Sequence, residues 1–534
     1  MGRLLRVKGF LLISVAVLLV VIGFLPILVM SIKSVTVNGH ISFTYYKTLF
    51  SSSREWILLG HSFTLSLLTT LFATAVGLPL GVLLAKSDLP WRKLFVFLFS
   101  IPLLLPPYII AVTWFNVLGR EGFLAGILGS AAAEATSSWL FGLAGCVLVL
   151  VTTFMPIVIL LTMTYLTTVN PHLEEAARLA ARWPVVLKEI TIPVILPGIL
   201  LAAMLVFLLT LGEFSVPMFL RYDVFPVESF TQFSAFYNFG AATAAAIPLA
   251  FVTFLILILE RIFIREKTYQ LRPSPGEEHA ISIRLGPYRP WLFVSVCLLS
   301  LVIIVMPFVV LIGQSLSVLV YVKALSSAGD SLLRSLIYAV IGASVLTILG
   351  FCTGYLIHTK AFRFWMTLDS LTIFLFALPS TVIGIGLISL WNRPSTNIIY
   401  VTPVIILLGY IAQYTVLSSR ITVSMLAQIP PSMEEAAQIV GAGWLRRLIL
   451  IMAPMAKRGI IAGLIVGFIF CLRDTGISMM VYPPGYDTLP VRTLTLMANS
   501  PSELIAALCV VMIIATLLPL GLLGLVFGRR REVK

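Results

Sequence analysis

Long apolar runs separated by short polar segments make up almost the entire sequence. About twelve such runs lie between residues 9 and 528, and each is close to the ~20 residues that a helix needs to cross the hydrocarbon core of a bilayer. Backbone polar groups in lipid must be satisfied within the chain itself, which favours helices. The pattern therefore predicts an all-α polytopic membrane protein with about 12 transmembrane helices.

The pattern of runs and landmark residues occurs twice. Each half holds six runs with a polar loop between the fourth and the fifth, which predicts parallel repeats of the same orientation. We place extra residues of the first half in the loop around 119–140, because the offset between matching residues drops from 273 at Ser62 to 260 at Glu175. The predicted division is a first half 1–264, a cytoplasmic linker 265–290 and a second half 291–534. Matching pairs are Ser62 and Ser335, Gly77 and Gly350, Gly81 and Gly354, Pro106 and Pro379, Glu175 and Glu435, and Phe225 and Leu489.

The distribution of basic residues predicts the orientation of the chain in the membrane. With the N-terminus inside, most of the 36 Lys and Arg residues fall in segments on the inner side, as cytoplasmic loops require. Both termini and both polar loops are therefore expected in the cytoplasm. The formal charge of +14 is explained by this topology, and no nucleic-acid partner is expected. The first apolar run is longer than a signal-peptide core and is expected to remain as an uncleaved span.

Composition and motifs predict no chemistry in this chain. Hydrophobic residues make up 59% of the sequence and charged residues 11%, which excludes an ordinary soluble enzyme. The five cysteines lie in or beside apolar runs without metal-ligand spacing, so no metal site is predicted. No phosphate-binding Gly-x-x-x-x-Gly-Lys-Ser/Thr motif and no Ser/His/Asp arrangement is present. We expect a protein that is not an enzyme and binds no cofactor directly.

The two polar loops, residues 174–193 and 434–454, both begin with Glu-Glu-Ala-Ala. A single copy of this sequence is typical of a solvated helix without a partner. Two copies at equivalent positions of a duplicated chain favour a helix that docks into a groove of another protein. A small residue follows in each loop, and Pro193 and Pro454 are predicted to begin the next spans.

These loops resemble the EAA motif of ATP-binding-cassette importer permeases, whose coupling helix contacts the ATPase subunit. The second loop has every motif residue except the last leucine, which is Ala453. The first loop has Ala181 in place of the motif glycine and is one residue shorter before Ile190, so its turn need not follow that of the motif. The resemblance implies ATPase-coupling roles for Glu175, Ala176, Ala177, Ala181, Glu435, Ala436, Ala437 and Gly441.

The whole chain resembles a fusion of two permease halves of the ferric-iron type. The segments that carry this resemblance are Leu-Pro-Pro-Tyr at 105–108, Ala-Leu-Pro-Ser at 377–380, Gly-Glu-Phe at 212–214 and Arg-Asp-Thr-Gly at 473–476. It implies the type I importer (MetI-like) fold, two copies of a cytoplasmic ATPase that uses the ATP, an extracytoplasmic solute-binding protein and a place in the bacterial inner membrane. Ferric iron is the expected cargo, with thiamine and 2-aminoethylphosphonate as alternatives. An ion-coupled secondary transporter stays as a rival, although parallel repeats favour it less.

Charged residues within the apolar runs are candidates for the translocation pathway or its gate. Glu213 and Asp474 occupy corresponding positions of the two repeats, and Arg473 precedes Asp474. Charges in the membrane are costly and usually face a partner or a water-filled cavity. Either these residues line the pathway, or Glu213 has a basic or backbone partner and Asp474 pairs with Arg473 or a neighbouring helix. Prolines within the runs predict kinks or unwound turns, namely at Pro102, Pro106, Pro107 and Pro379.

Overall fold

The computed structural model describes residues 13–37, 40–236, 238–263, 283–360 and 365–528. Residues 265–282 of the predicted linker lie outside the described residues. Among the described residues, nine helices are long and apolar enough to cross a membrane, and three bent helix pairs bring the total to 12 if each pair is one span. The prediction of a helical polytopic protein with about twelve spans is confirmed.

The helices follow one another in the same order in both halves. The first half contains one short hairpin, β1 (Thr36–Val37) and β2 (His40–Ile41), and the helices α1 (Ile13–Ser34), α2 (Thr44–Ser51), α3 (Ser53–Lys86), α4 (Arg92–Leu104), α5 (Pro107–Leu118), α6 (Phe123–Leu128), α7 (Ser130–Leu140), α8 (Leu143–Leu166), α9 (Pro171–Ala180), α10 (Trp183–Leu211), α11 (Ser215–Phe219), α12 (Phe225–Ser234) and α13 (Phe239–Phe263). The second half contains α14 (Gly286–Gln314), α15 (Val318–His358), α16 (Trp365–Ala377), α17 (Ser380–Trp391), α18 (Asn397–Tyr400), α19 (Val404–Leu426), α20 (Pro431–Ile439), α21 (Trp444–Met455), α22 (Lys457–Arg473), α23 (Gly476–Val481), α24 (Leu489–Leu496) and α25 (Ser502–Gly528).

The third span of each half is broken at the predicted prolines. Helices α4 and α5 meet at an angle of 106°, and α16 and α17 meet at 108°. Pro106 and Pro379 lie at these breaks, where a proline ring removes an N–H donor and clashes with the preceding turn. Pro102 lies within α4, which continues to Leu104. The predicted unwound turns are therefore confirmed at the breaks, but Pro102 does not end its helix.

The helix of the fifth span begins earlier than predicted in the first half only. Helix α10 begins at Trp183, about ten residues before Pro193, which was predicted to begin this span. The intervening residues carry charges such as Lys188 on an exposed surface. In the first half, a segment that hydropathy assigned to the polar loop is therefore helical from Trp183 onward. In the second half, α21 and α22 are bent by 76° where they meet, and the apolar helix α22 begins at Lys457, close to Pro454 as predicted.

The sequence repeat is also a repeat of contacts. Helix α3 crosses α8 so closely that a Cβ on Gly77 would lie 2.9 Å from the Cβ of Val158, and α15 crosses α19 with a Cβ on Gly350 at 2.3 Å from the Cβ of Ser418. Small residues allow this close approach of membrane helices. The hydroxyl of Ser62 accepts a hydrogen bond from the Phe225 amide at 2.8 Å, and that of Ser335 accepts one from the Leu489 amide at 2.6 Å.

The two halves interlock through their first spans. Helix α1 packs against α17 of the second half, and α14 packs against α5 of the first half. The side chain of Lys33 in α1 donates a hydrogen bond to the Ser389 carbonyl in α17 at 2.8 Å. Helices α6 and α7 occupy the longer connection of the first half, where the second half has only α18, as the shift in offset predicted. The breaks of the third spans consequently lie near the contact between the halves.

Candidate functional site

The first Glu-Ala-Ala sequence lies on a short amphipathic helix. Helix α9 begins after Asn170, whose side-chain oxygen accepts a hydrogen bond from the His172 amide at 2.9 Å. A side-chain cap of this kind satisfies a free N–H at the start of a helix. Glu175 is 61% exposed, and Leu179 is 93% exposed although it is apolar. The helix therefore presents an uncovered face that carries an acid group and a large apolar side chain.

The second Glu-Ala-Ala sequence presents a matching face. Glu435 and Ala436 on α20 are exposed, and Ile439 is 86% exposed. Ile439 occupies the repeat position of Leu179, at the same offset of 260 as the two motif glutamates. Sequence reasoning missed this apolar pair, although an apolar residue recurring in two polar loops was a usable signal.

The turns after the two helices differ in backbone conformation. Gly441 has a φ of +84°, in the left-handed region. Ala181, at the equivalent place, has an extended backbone with φ −142° and ψ 160°. An alanine side chain disfavours the left-handed conformation, so the first loop leaves its helix by another path. Ala177 and Ala437 are half-buried on the inner side of their helices, and Ala176 is exposed like Ala436.

The first glutamate of each Glu-Glu pair was not predicted to have a role, yet it makes the stronger contacts. Glu174 is buried and bonded to Lys86 and to Thr191. Glu434 accepts a hydrogen bond from the Tyr355 hydroxyl at 3.1 Å. Lys86 and Tyr355 belong to distant parts of the sequence, so the sequence offered no signal for these two contacts.

Glu213, Arg473 and Asp474 surround one small cavity near the contact between the halves. The cavity has a volume of about 90 Å³, which is enough for only a few water molecules. It is lined by the ends of α10 and α22 and by the breaks in both third spans, including Pro107 and Pro379. The structure thus brings together all three residues that were predicted to line or gate a pathway.

The two carboxylates of the cavity hold the short helices that follow them. Glu213 accepts a hydrogen bond from the Ser215 amide at 2.8 Å and another from its hydroxyl. Asp474 accepts bonds from the amide and the hydroxyl of Ser478, both at 2.8 Å, and from the hydroxyl of Tyr414 at 2.8 Å. Such bonds compensate for the burial of a charge. Glu213 therefore has a backbone partner and Asp474 a partner on a neighbouring helix, two of the alternatives left open above.

Arg473 connects the two halves directly. Its guanidinium group donates a hydrogen bond to the carbonyl of Leu103 in the first half and stacks 4.9 Å from the Phe470 ring. The Leu103 carbonyl lies four residues before Pro107, which has no N–H to donate within the helix. On the other side of the cavity, Gly212 packs on Pro379, whose Cα would lie 3.0 Å from a Cβ at residue 212. One contact is polar and the other is apolar, so the two sides of the cavity are not equivalent.

Within the described residues, no group of three or more His, Cys, Asp or Glu side chains is placed to hold a metal ion. The cavity is lined by one cation, Arg473, and by two hydrogen-bonded carboxylates, Glu213 and Asp474.

Comparison with known proteins identifies the family of this fold. Residues 77–269 and 350–532 each match the family described as "Binding-protein-dependent transport system inner membrane component". The chain belongs to this family. Its two matches correspond to the two sequence repeats, so this inner membrane component is a fusion of two family domains. Together with the nine to twelve candidate spans among the described residues, they confirm the predicted all-α polytopic membrane protein with two repeats.

Several relatives resemble this inner membrane component over most of its length. It is 24% identical over 423 residues to the putative ferric transport system permease protein FbpB 1 of Haemophilus influenzae, covering 73% of this chain and 64% of that protein. It is 25% identical over 460 residues to the ferric transport system permease protein FbpB of Actinobacillus pleuropneumoniae, covering 81% and 65%. The chain therefore spans somewhat less than two thirds of the length of these relatives.

Shorter relatives match a single half of the inner membrane component. The molybdenum transport system permease protein ModB of Escherichia coli is 30% identical over 221 residues, covering 39% of this chain and 92% of ModB. A solved chain of the MetNI methionine ABC transporter in inward-facing conformations aligns with a TM-score of 0.32 and 19% identity, covering 40% of this chain and 99% of that chain.

Proposed function

We propose that this protein is the transmembrane permease subunit of an ATP-driven, binding-protein-dependent importer. The observation that carries the proposal is the pair of exposed helices α9 and α20, which present Glu175 with Leu179 and Glu435 with Ile439 at equivalent repeat positions. Exposed apolar side chains that recur on two polar helices suit docking into a groove of a partner. Family membership supports the same role.

The proposed partners follow from this two-fold arrangement. Two copies of a cytoplasmic ATPase bind α9 and α20, one copy each, and hydrolyse the ATP, so the permease is not itself an enzyme. A solute-binding protein delivers cargo on the opposite side of the membrane. The chain lies in the bacterial inner membrane with both termini in the cytoplasm, as the distribution of basic residues indicates.

Ferric iron is the cargo we propose, because two ferric permeases resemble the chain over most of its length. Thiamine and 2-aminoethylphosphonate are the alternatives. The similarity to ModB extends over one half only. In this architecture the binding protein determines most of the substrate specificity, so the cargo is best identified through that partner.

The cavity around Glu213, Arg473 and Asp474 is the proposed gate of the pathway in its closed state. Its volume of about 90 Å³ is well below the roughly 300–1,000 Å³ of typical ligand pockets. ATP-driven approach of the two ATPases moves α9 and α20 towards each other, separates the contacts at the cavity and opens the pathway outward; hydrolysis reverses the movement. Such a cycle requires two arrangements of the helices whose populations the partners shift.

Purification of the tagged chain with its partners tests this function. The chain is extracted in mild detergent after gentle crosslinking, and the bound proteins are identified by mass spectrometry. We expect an ATPase with a phosphate-binding loop and a solute-binding protein, which is then tested for binding of ferric iron, thiamine and phosphonates. A chain that is recovered alone and transports in vesicles without ATP would instead be a secondary transporter.

A further inference from the structure

The two glutamates of each Glu-Glu-Ala-Ala sequence face in different directions. Glu174 is 1% exposed, whereas Glu175 beside it is 61% exposed. Glu434 is 25% exposed, and Glu435 is exposed. Successive residues of an α-helix point about 100° apart, so such a pair gives one acid group to each face. In both halves the first glutamate faces the membrane helices and the second faces away from them.

Glu174 joins the exposed helix α9 to two membrane helices. One carboxylate oxygen bonds the ammonium group of Lys86, the last residue of α3, and the other accepts a hydrogen bond from the Thr191 hydroxyl in α10 at 2.6 Å. Lys86 is buried as well. Buried charges are strongly destabilising without their partner, so the ion pair keeps α9 and α3 together, and the Thr191 hydrogen bond adds α10.

Glu434 makes the corresponding connections with other side chains. It accepts a hydrogen bond from Tyr355 in α15 at 3.1 Å and lies 3.6 Å from the Nε of Arg447 in α21. The hydroxyl of Tyr355 in turn accepts a bond from the Trp444 indole at 3.0 Å. Helices α15 and α21 are the second-half counterparts of α3 and α10. The same three elements are therefore connected in both halves, although only the glutamate is common to the two networks.

We propose that Glu174 and Glu434 are positioning residues that transmit the movement of α9 and α20 to the membrane helices. This proposal rests on the proposed function, in which an ATPase binds the outer faces of these two helices. A displacement of α9 carries the ends of α3 and α10 with it, because one buried carboxylate holds all three. Without that carboxylate, α9 still presents Glu175 and Leu179 to the ATPase, but its displacement no longer reaches the second and fifth spans.

The test compares neighbouring glutamates in the purified complex of permease, ATPase and binding protein. In Glu174→Gln, we expect the ATPase to remain bound and to hydrolyse ATP, while cargo transported per ATP falls at least about tenfold. Glu434→Gln is expected to act in the same direction. In the matched variant Glu175→Gln, we expect less ATPase to be recovered with the permease, and the complexes that keep their ATPase to transport with the ordinary ratio of cargo to ATP.

Exchange of the charges separates transmission from a general loss of stability. The variant Lys86→Glu with Glu174→Lys rebuilds the ion pair and is expected to recover most of the transport per ATP. Thr191→Val removes one hydrogen bond, leaves both charges paired, and is expected to lower transport per ATP by about threefold. Thr191→Val also serves as the test variant if Glu174→Gln fails to insert into the membrane.

Three results would overturn the proposal. These are an ordinary ratio of transport to hydrolysis in Glu174→Gln, loss of the ATPase from that variant as from Glu175→Gln, and a Thr191→Val chain that inserts and transports normally. Failure of the unmodified chain to bind any ATPase is a separate result, which contradicts the proposed function itself.

Discussion

Replacement of both Glu175 and Glu435 by arginine is expected to remove the ATPase from the complex and to abolish transport, while the chain still inserts into the membrane. Both side chains are exposed, so the change costs the isolated permease little. A charge reversed at a docking surface costs on the order of 2–5 kcal/mol per site, which is roughly 30-fold to several thousand-fold in affinity. The measurement is the amount of ATPase that co-purifies with equal amounts of tagged permease.

A matched control for this variant is Glu134→Arg. Glu134 is exposed and lies on α7, in the long connection of the first half and away from both Glu-Ala-Ala helices. It is expected to retain the ATPase. Ordinary ATPase binding by the double arginine variant would show that α9 and α20 are not the docking helices.

Replacement of Arg473 by alanine is expected to make the permease leak without ATP. The variant removes the hydrogen bond to the Leu103 carbonyl and leaves that carbonyl without a donor. A buried polar group left without its partner costs about 1–3 kcal/mol, which lowers the ratio of closed to open permease about 5-fold to 150-fold. The measurement is passive release of a small trapped solute from proteoliposomes that contain the permease alone.

Lys33→Ala provides the control for the leak. Lys33 also links the halves by donating to a carbonyl, that of Ser389, but it does not line the cavity. We expect vesicles that contain this variant to retain the trapped solute. Equal leakage from Lys33→Ala and Arg473→Ala would indicate a general loosening of the halves, and no leakage from Arg473→Ala would exclude this residue from the gate.

The membrane architecture was predictable because its signals are local or periodic. The lengths of the apolar runs predicted the spans, and the paired glycines and serines predicted the repeat. Pro106 and Pro379 predicted the breaks in the third spans. The start of helix α10 at Trp183 was not predictable from hydropathy. Charged residues such as Lys188 lie on an exposed surface of a helix that continues into the membrane, and hydropathy records their charge but not their backbone conformation.

The contacts of the candidate site depend on long-range packing that the sequence does not display. A Glu-Glu pair indicates that one side chain faces inward, but which one depends on Lys86, 88 residues away. The link between Arg473 and Leu103 spans 370 residues. The hydrogen bonds that Glu213 and Asp474 accept from serines are local by contrast, since Ser215 and Ser478 follow within four residues. A serine shortly after a carboxylate at the end of a helix was a usable signal.

The most direct test of the account is uptake into proteoliposomes that contain the permease, its co-purified ATPase and its binding protein. We expect uptake of the cargo of that binding protein only when ATP is supplied to the side of the ATPase and all three components are present. Uptake driven by an ion gradient, with the permease alone and without ATP, would contradict the account and establish a secondary transporter.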